Sequence, residues 1–211
     1  MLDCWRADAS AESLEGAQAA LLDLLCAKGL TELDEPVRLA SGNWSRYFID
    51  GKAALGAGND LRSAAMAIAE RVRAAGIEFD AAGGLTLGAD ALCAAVAVVS
   101  GAGWFIVRKE AKGRGTNRLI EGTRIGQGSR VLLIDDVVTT GGSILRAYET
   151  VQETGAEVVA AVTLADRGGD ARQSFADLGV PYFPMATYRD LGIPAVGTEA
   201  AAEAAVDCAA R

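Results

Sequence analysis

The sequence contains no histidine, and this absence excludes several kinds of catalytic site at once. Histidine is the usual general base near neutral pH, the central member of Ser-His-Asp triads and the commonest ligand of transition metals. We therefore expect chemistry that does not depend on an imidazole, and most transition-metal centres are excluded.

Clustered cysteines, an excess of basic residues and long apolar segments are also missing. The four cysteines are widely scattered, which argues against both a disulfide framework and a zinc site. A formal net charge of −8 and a pI near 4.7 argue against nucleic-acid binding, which normally uses a basic surface. The first residues lack the apolar stretch of a signal peptide, and no apolar run is as long as a membrane span. We expect a cytoplasmic protein that binds neither nucleic acid nor membrane.

The most informative segment is residues 131–143, where an apolar run leads into two acids and then a loop of hydroxyls and glycines. The apolar run, residues 131–134, is typical of a strand buried on both faces. The loop opens a segment with helical spacing. Free backbone N–H groups and the positive end of a helix dipole suit a phosphate, and Thr139, Thr140 and Ser143 add hydroxyl donors. This segment therefore predicts a phosphate-binding loop at a strand end.

The paired acids Asp135 and Asp136 would repel a phosphate and therefore need a different partner. Carboxylates can accept hydrogen bonds from sugar hydroxyls or lie near a metal ion. Acids beside a phosphate loop thus indicate a ribose-phosphate ligand. Such acids and glycines also occur in α/β proteins without a ligand, but the complete combination is much rarer. The Walker A pattern is absent, and acids that precede the glycines disfavour a dinucleotide fingerprint.

Strand-like and helix-like segments alternate along the chain, which indicates one α/β domain with a parallel sheet and helices on both faces. The helical patterns cover residues 11–29, 58–76, 89–100, 144–155 and 170–179. The strand patterns lie within residues 37–50, 104–107 and 131–134, and residues 157–169 supply a further strand and the loop after it. A glycine-rich turn is expected at residues 83–90. Ligands of such sheets bind at the carboxyl ends of the strands.

A basic loop follows the strand at residues 104–107 in this otherwise acidic chain. Charge runs are more often solvated loops than functional sites. Here, however, Gly113 and Gly115 provide the freedom that a closing lid needs. Cations that such a lid brings over a ribose phosphate would stabilise negative charge in a water-poor site.

Residues 131–143 resemble the phosphoribosyl-diphosphate (PRPP) motif of the type I phosphoribosyltransferases. The resemblance implies that Asp135 and Asp136 bind the ribose hydroxyls and that the following loop holds the 5′-phosphate. Residues 108–115 resemble the loop of the orotate phosphoribosyltransferases, which closes over the active site of the neighbouring subunit in a homodimer. Catalysis is then assigned to Lys112, Lys109 and Asp136. The implied PRPP-binding residues are Arg108, Lys109, Lys112, Arg114, Asp135, Asp136, Val137, Val138, Thr139, Thr140, Gly141, Gly142 and Ser143.

Two further segments bear on the second substrate. Residues 41–52 resemble a segment of the same family that forms part of the orotate pocket, where Tyr47 and Phe48 either wall a pyrimidine or are core strand residues. Arg167 matches an arginine that contacts the orotate carboxylate in the family; the alternative is a surface salt bridge at a strand end. The implied orotate-binding residues are Thr139, Arg167 and Phe48. Lysines common in the family are replaced by Ala40 and Leu87.

The resemblance implies the type I phosphoribosyltransferase fold, with a central, mostly parallel sheet flanked by helices, a small amino-terminal hood and a flexible catalytic loop. We divide the domain into an amino-terminal helix and hood segment (1–55), a core (56–190) and a carboxyl-terminal alanine-rich helix (191–211). The implied reaction joins orotate to the ribose 5-phosphate of PRPP in de novo pyrimidine biosynthesis. Mg²⁺ is implied as a cofactor held by substrate and water, without a protein metal site. The alternatives are a phosphoribosyltransferase for another nucleobase and a non-catalytic PRPP-binding regulator.

Overall fold

The computed structural model describes residues 11–39, 41–110 and 119–198. Five positions singled out in the sequence, Ala40, Lys112, Gly113, Arg114 and Gly115, lie outside these ranges. Most of the predicted carboxyl-terminal helix also lies outside them, and residues 191–198 form turns and irregular chain.

Helices and strands alternate as expected. The helices are α1 (Ala11–Leu24), which continues into a π-helical turn at Leu25–Gly29, α2 (Gly51–Ala54), α3 (Gly58–Ala74), α4 (Asp90–Ser100), α5 (Gly142–Gln152) and α6 (Ala171–Asp177). The strands are β1 (Leu30–Arg38), β2 (Trp44–Ile49), β3 (Ala81–Leu85), β4 (Gly103–Val107), β5 (Ile120–Gly122), β6 (Arg130–Val138), β7 (Glu157–Asp166) and β8 (Tyr182–Thr187). Within the described ranges, no helix combines the length and apolar character needed to cross a membrane.

The main sheet has six strands in the order β5-β4-β3-β6-β7-β8. Only the pairing of β4 with β5 is antiparallel among the described strands of this sheet. The strands β1 and β2 form a separate antiparallel pair, which corresponds to the predicted hood. The α/β class and the mostly parallel sheet are therefore confirmed.

Both faces of the sheet are covered, which explains the continuous apolar run at the start of β6. Leu132 and Ile134 pack in the cluster formed with α1, α3 and α4, whereas Val131 and Leu133 pack in the cluster formed with α5 and α6. All four side chains are fully buried. Successive residues of a strand point to opposite faces, so residues 131–134 meet apolar surroundings on both sides of the sheet.

The glycine pair Gly83–Gly84 was predicted in a turn but lies inside β3, so this prediction was wrong. A Cβ at Gly83 would lie 2.4 Å from the carbonyl oxygen of Phe105, and one at Gly84 would lie 2.0 Å from that of Ile134. The neighbouring strands approach too closely for any side chain. These glycines serve close packing of three strands, and the turn occupies the residues after Leu85.

Candidate active site

The candidate site lies at the carboxyl edge of the parallel strands, where β6 passes into α5. The strand continues beyond the predicted end at Ile134 and includes both acids, because Val137 and Val138 pair with Ala165 and Asp166 of β7. The two acids are therefore presented by sheet backbone and not by a loop. Only residues 139–141 separate β6 from α5.

The connection between β6 and α5 is shaped by close backbone packing. Gly141 has φ +89°, and a Cβ there would lie 2.9 Å from the Cβ of Ala171. A Cβ at Gly169 would lie 2.0 Å from the carbonyl oxygen of Thr139. Residues 169–171, after β7, thus pack against the loop at residues 139–141.

The amino-terminal turn of α5 is open. No side chain caps it in the part of the chain that the structure describes, and Thr140, Gly142 and Ser143 are exposed. Helix N–H groups without an internal partner, together with the helix dipole, form an anion-binding site. The arrangement agrees with a phosphate at this turn.

Asp135 is buried beside a second acid. Its side chain is 6% exposed, and its Oδ1 accepts a hydrogen bond from the backbone N–H of Asp136 at 3.0 Å. Burial, and then the charge of Asp136, raise the pKa of Asp135 from 3.8 to about 7. The charge of Lys109 opposes this rise, which places Lys109 in the electrostatic range of the acid pair.

Asp136 is held from several sides. Its Oδ1 accepts a hydrogen bond from the backbone N–H of Val137 at 2.8 Å, and its carbonyl oxygen accepts one from Thr163 Oγ1 at 3.0 Å. A Cβ at Gly88 would lie 2.5 Å from Oδ1, and one at Gly51 would lie 3.1 Å from the Asp136 Cβ. The second acid therefore has little freedom to move.

A lysine from the hood reaches the same carboxylate. Lys52 Nζ lies 3.6 Å from Oδ2 of Asp136. Sequence reasoning did not single out Lys52, Thr163 or the supporting glycines Gly51 and Gly169. Gly51 and Lys52 end the segment at residues 41–52 that resembles part of the orotate pocket of the family, whereas Thr163 gives no signal in the sequence.

A third acid, Asp90, lies within electrostatic range of Asp136. Asp90, in the first turn of α4, has its pKa raised by burial and then by the charge of Asp136. Its Oδ1 is buried without a hydrogen-bond partner among the described residues. Burial and the charges of Asp90, Asp135 and Asp136 raise the pKa of the Cys93 thiol behind them. In the described ranges, no group of three or more acidic, cysteine or histidine side chains has an arrangement that would hold a metal ion.

Arg167 is buried, so it does not form the surface salt bridge that was the alternative. Its side chain is 1% exposed, Nη1 donates to the carbonyl oxygen of Tyr47 at 2.9 Å, and Nη2 donates to Ser45 Oγ at 3.0 Å. The arginine thus joins the end of β7 to the hood strand β2. Phe48 on β2 is 44% exposed, whereas Tyr47 packs partly against the core.

The described part of the basic loop continues from β4. Arg108 Nη1 lies 3.1 Å from Glu121 Oε1, and the carbonyl oxygen of Lys109 accepts a hydrogen bond from Arg146 of α5. The basic loop therefore leaves the sheet beside the first turns of α5, the helix that follows the loop at residues 139–141 (together called the phosphate turn). Lys112 and Arg114, further along the loop, lie outside the described residues.

The chain is similar to known proteins in both its sequence and its structure. A family model described as "Phosphoribosyl transferase domain" matches residues 64–178. An orotate phosphoribosyltransferase of Pyrococcus abyssi is 40% identical over 153 residues, which cover 72% of this chain and 84% of that protein. One of Corynebacterium glutamicum is 37% identical over 179 residues, covering 84% of this chain and 95% of that protein. The crystal structure of Mycobacterium tuberculosis H37Rv orotate phosphoribosyltransferase in complex with PRPP has a TM-score of 0.68 at 31% identity, and the match covers 84% of this chain and 99% of that chain.

Proposed function

The chain belongs to the phosphoribosyltransferase family, and from that premise we propose that it acts as an orotate phosphoribosyltransferase. It transfers the ribose 5-phosphate of PRPP to orotate and releases orotidine 5′-monophosphate and pyrophosphate, a step of de novo pyrimidine biosynthesis. Two relatives, which are 40% and 37% identical to this chain over most of their length, are named orotate phosphoribosyltransferase. The single observation that carries the proposal is the acid pair Asp135–Asp136 at the end of β6, directly before the open first turn of α5.

The proposed chemistry depends on position and charge and does not use a protein nucleophile. N1 of orotate bonds to C1 of the ribose while the bond from C1 to the pyrophosphate oxygen breaks, through a transition state with oxocarbenium character. Asp135 and Asp136 accept hydrogen bonds from the ribose hydroxyls. The loop from Thr139 to Ser143 binds the 5′-phosphate, and the backbone of Val137 and Val138 leads into it.

The pyrophosphate side of the site is assigned to the basic loop. Its side chains compensate the charge that leaves with pyrophosphate, and arginine and lysine remain charged at all pH values near neutrality. Support from the described residues comes from Lys109, whose charge acts on Asp135. The proposed cations are Arg108, Lys109, Lys112 and Arg114, with Lys112, Lys109 and Asp136 contributing most to catalysis.

Mg²⁺ fits this site as a cation carried by the substrate. Burial, and then the charge of Asp136, raise the pKa of Asp135, and PRPP brings further negative charge to this acid pair. A divalent cation would neutralise pyrophosphate and ribose oxygens near Asp135 and Asp136 while keeping several waters, as Mg²⁺ prefers.

The orotate side is proposed to include Thr139, Phe48 and Arg167. Phe48 presents an exposed ring from the hood, and Thr139 lies between the acid pair and the phosphate turn. The terminal nitrogens of Arg167 already donate to β2, so contact with orotate would require the guanidinium to share those donors.

We further propose a cytoplasmic homodimer in which each basic loop completes the neighbouring site. The division into a hood segment (1–55), a core (56–190) and a terminal helix (191–211) remains a prediction.

An assay with purified protein tests the function. The protein is incubated with PRPP, Mg²⁺ and one base at a time, namely orotate, uracil, adenine or xanthine, and nucleotide and pyrophosphate are measured. We expect turnover with orotate and release of one pyrophosphate for each nucleotide. Turnover with another base but not with orotate would refute the assignment of orotate as the substrate. Binding of PRPP without turnover of any base would favour the regulator.

A further inference from the structure

We propose that Lys52 binds the carboxylate of orotate and so selects an acidic pyrimidine over a neutral one. This inference rests on the proposed function and adds a specificity-determining residue to it. It is carried by the position of the Lys52 ammonium beside the ribose acid Asp136.

The backbone at Lys52 is fixed next to the site. Asp50 caps α2, and its Oδ1 accepts hydrogen bonds from the N–H groups of Lys52 and Ala53, each at 3.0 Å. Gly51 packs against Asp136 so closely that an added Cβ would lie 3.1 Å from the Asp136 Cβ. The position of Lys52 relative to the acid pair is therefore set by the chain on both sides of it.

The ammonium group, in contrast, remains available to a ligand. The Lys52 side chain is 64% exposed, and its Nζ lies 3.6 Å from Asp136 Oδ2 and 3.9 Å from Asp50 Oδ1. These distances leave the ammonium within ionic reach of both acids but in contact with solvent. An ammonium has three donors on a flexible stem, so it can bind a ligand carboxylate and still face Asp136.

The chemistry of the substrate places its carboxylate close to the reacting ribose carbon. The carboxylate is attached to C6 of the pyrimidine, directly beside N1, and N1 is the atom that bonds to C1 of the ribose. Asp136 is proposed to bind the hydroxyls of that ribose. In the proposed complex, a cation adjacent to Asp136 on the hood side can therefore receive the carboxylate as N1 approaches C1.

The other described cations near the site have different surroundings. Arg167 is 1% exposed and donates to the hood strand, so it acts first as a support for β2. Arg108 is paired with Glu121, and Lys109 leaves the sheet at β4 beside the phosphate turn. Lys52 lies in α2, directly after the strand β2 that carries the exposed ring of Phe48.

The test compares two ligands that differ only in the carboxylate, orotidine 5′-monophosphate and uridine 5′-monophosphate. Their dissociation constants are measured by calorimetry for the natural protein, Lys52→Met, Lys52→Arg and the control Lys28→Met. Lys28 is also an exposed lysine, and its ionic partner is Asp60. We expect the natural protein and the control to prefer the carboxylated nucleotide by about 10-fold, as for one charge-assisted hydrogen bond.

Lys52→Met should bind the two nucleotides equally, and Lys52→Arg should recover part of the preference. Because only the ratio of the two constants is used, a general loss of binding or stability does not imitate this result. A preference retained by Lys52→Met would overturn the proposal, and its loss in Arg167→Lys instead would assign the carboxylate to Arg167. Turnover of orotate by the natural protein is measured separately, so the proposed function and the role of Lys52 can fail independently.

Discussion

At the residue scale, the two adjacent acids of the site have different surroundings. Asp135 is buried, and its pKa is raised to about 7 by that burial and by the charge of Asp136. Asp136 instead has a lysine 3.6 Å from its outer oxygen. Neighbouring residues of a strand point to opposite faces, so two identical acids in sequence meet different environments.

The buried acid should make stability depend on pH. In the folded protein Asp135 keeps its proton up to about pH 7, whereas a carboxyl with the ordinary value of 3.8 loses it much earlier. The folded state therefore binds more protons between these pH values, and the free energy of unfolding falls as pH rises through this window. Each pKa unit corresponds to about 1.4 kcal/mol. We expect Asp135→Asn to lose most of this decrease and to be more stable than the natural protein at pH 8.

Denaturant unfolding at pH 5 and pH 8 measures this difference. Asp34→Asn removes an exposed carboxyl and should follow the natural protein at both pH values. Equal pH dependence of Asp135→Asn and the natural protein would show that Asp135 ionises in the folded state without a penalty.

At the element scale, the phosphate turn depends on how the chain after β7 packs beneath it. Residues 139–141 lie against residues 169–171, and the closest approach is between Gly169 and the backbone of Thr139. Loop position is therefore set by two segments about 30 residues apart, which no local pattern reveals. The glycine pair after Arg167 looks in the sequence like an ordinary turn.

Replacement of Gly169 by alanine should displace the phosphate turn. The added Cβ would lie 2.0 Å from the Thr139 carbonyl oxygen and 2.9 Å from its carbon, and backbone atoms have little room to move. We expect a loss of stability of about 1–3 kcal/mol, as for other overpacked sites. PRPP affinity should fall by at least about 10-fold, measured by calorimetry, because the helix N–H groups no longer converge on the phosphate.

Gly58→Ala is the matched control, since a Cβ at Gly58, the first residue of α3, meets nothing within 4 Å. It should leave both stability and PRPP affinity close to those of the natural protein. Normal PRPP binding by Gly169→Ala would mean that the turn does not hold the phosphate in the proposed way.

At the scale of the whole molecule, the proposed homodimer requires the basic loop of one subunit to complete the site of the other. The described residues place the acid pair, the phosphate turn and the start of the basic loop at one edge of the sheet. Lys112 lies outside them, and its proposed action in the neighbouring subunit comes from the family resemblance. Complementation between inactive subunits can decide it.

We expect Lys112→Ala and Asp136→Ala to be nearly inactive separately, each losing about 100-fold or more, as when one charge-stabilising group is removed from an active site. In a mixed dimer with loops acting in the neighbouring subunit, one site contains both natural residues and the other contains neither. Co-expression with two affinity tags isolates such dimers, and their activity should approach half that of the natural dimer. Mixed dimers as inactive as their parents would show that each loop serves its own subunit.

The sequence by itself determined the α/β class, the strand and helix that frame the site, and the acid pair with its hydroxyl and glycine loop. These features are local, because a two-sided buried strand, a helix face and a phosphate turn each require particular residues within a few positions. The predicted helices at residues 58–76 and 89–100 match α3 and α4 closely for the same reason.

Only the tertiary structure decided where distant segments meet. It placed Gly83 and Gly84 inside β3 because β4 and β6 approach there, and it buried Arg167 against the hood strand. It also brought Lys52 to Asp136, across more than 80 residues of chain. Such contacts depend on the order of strands in the sheet and on the path of the hood, and neither leaves a periodic pattern in the residues themselves.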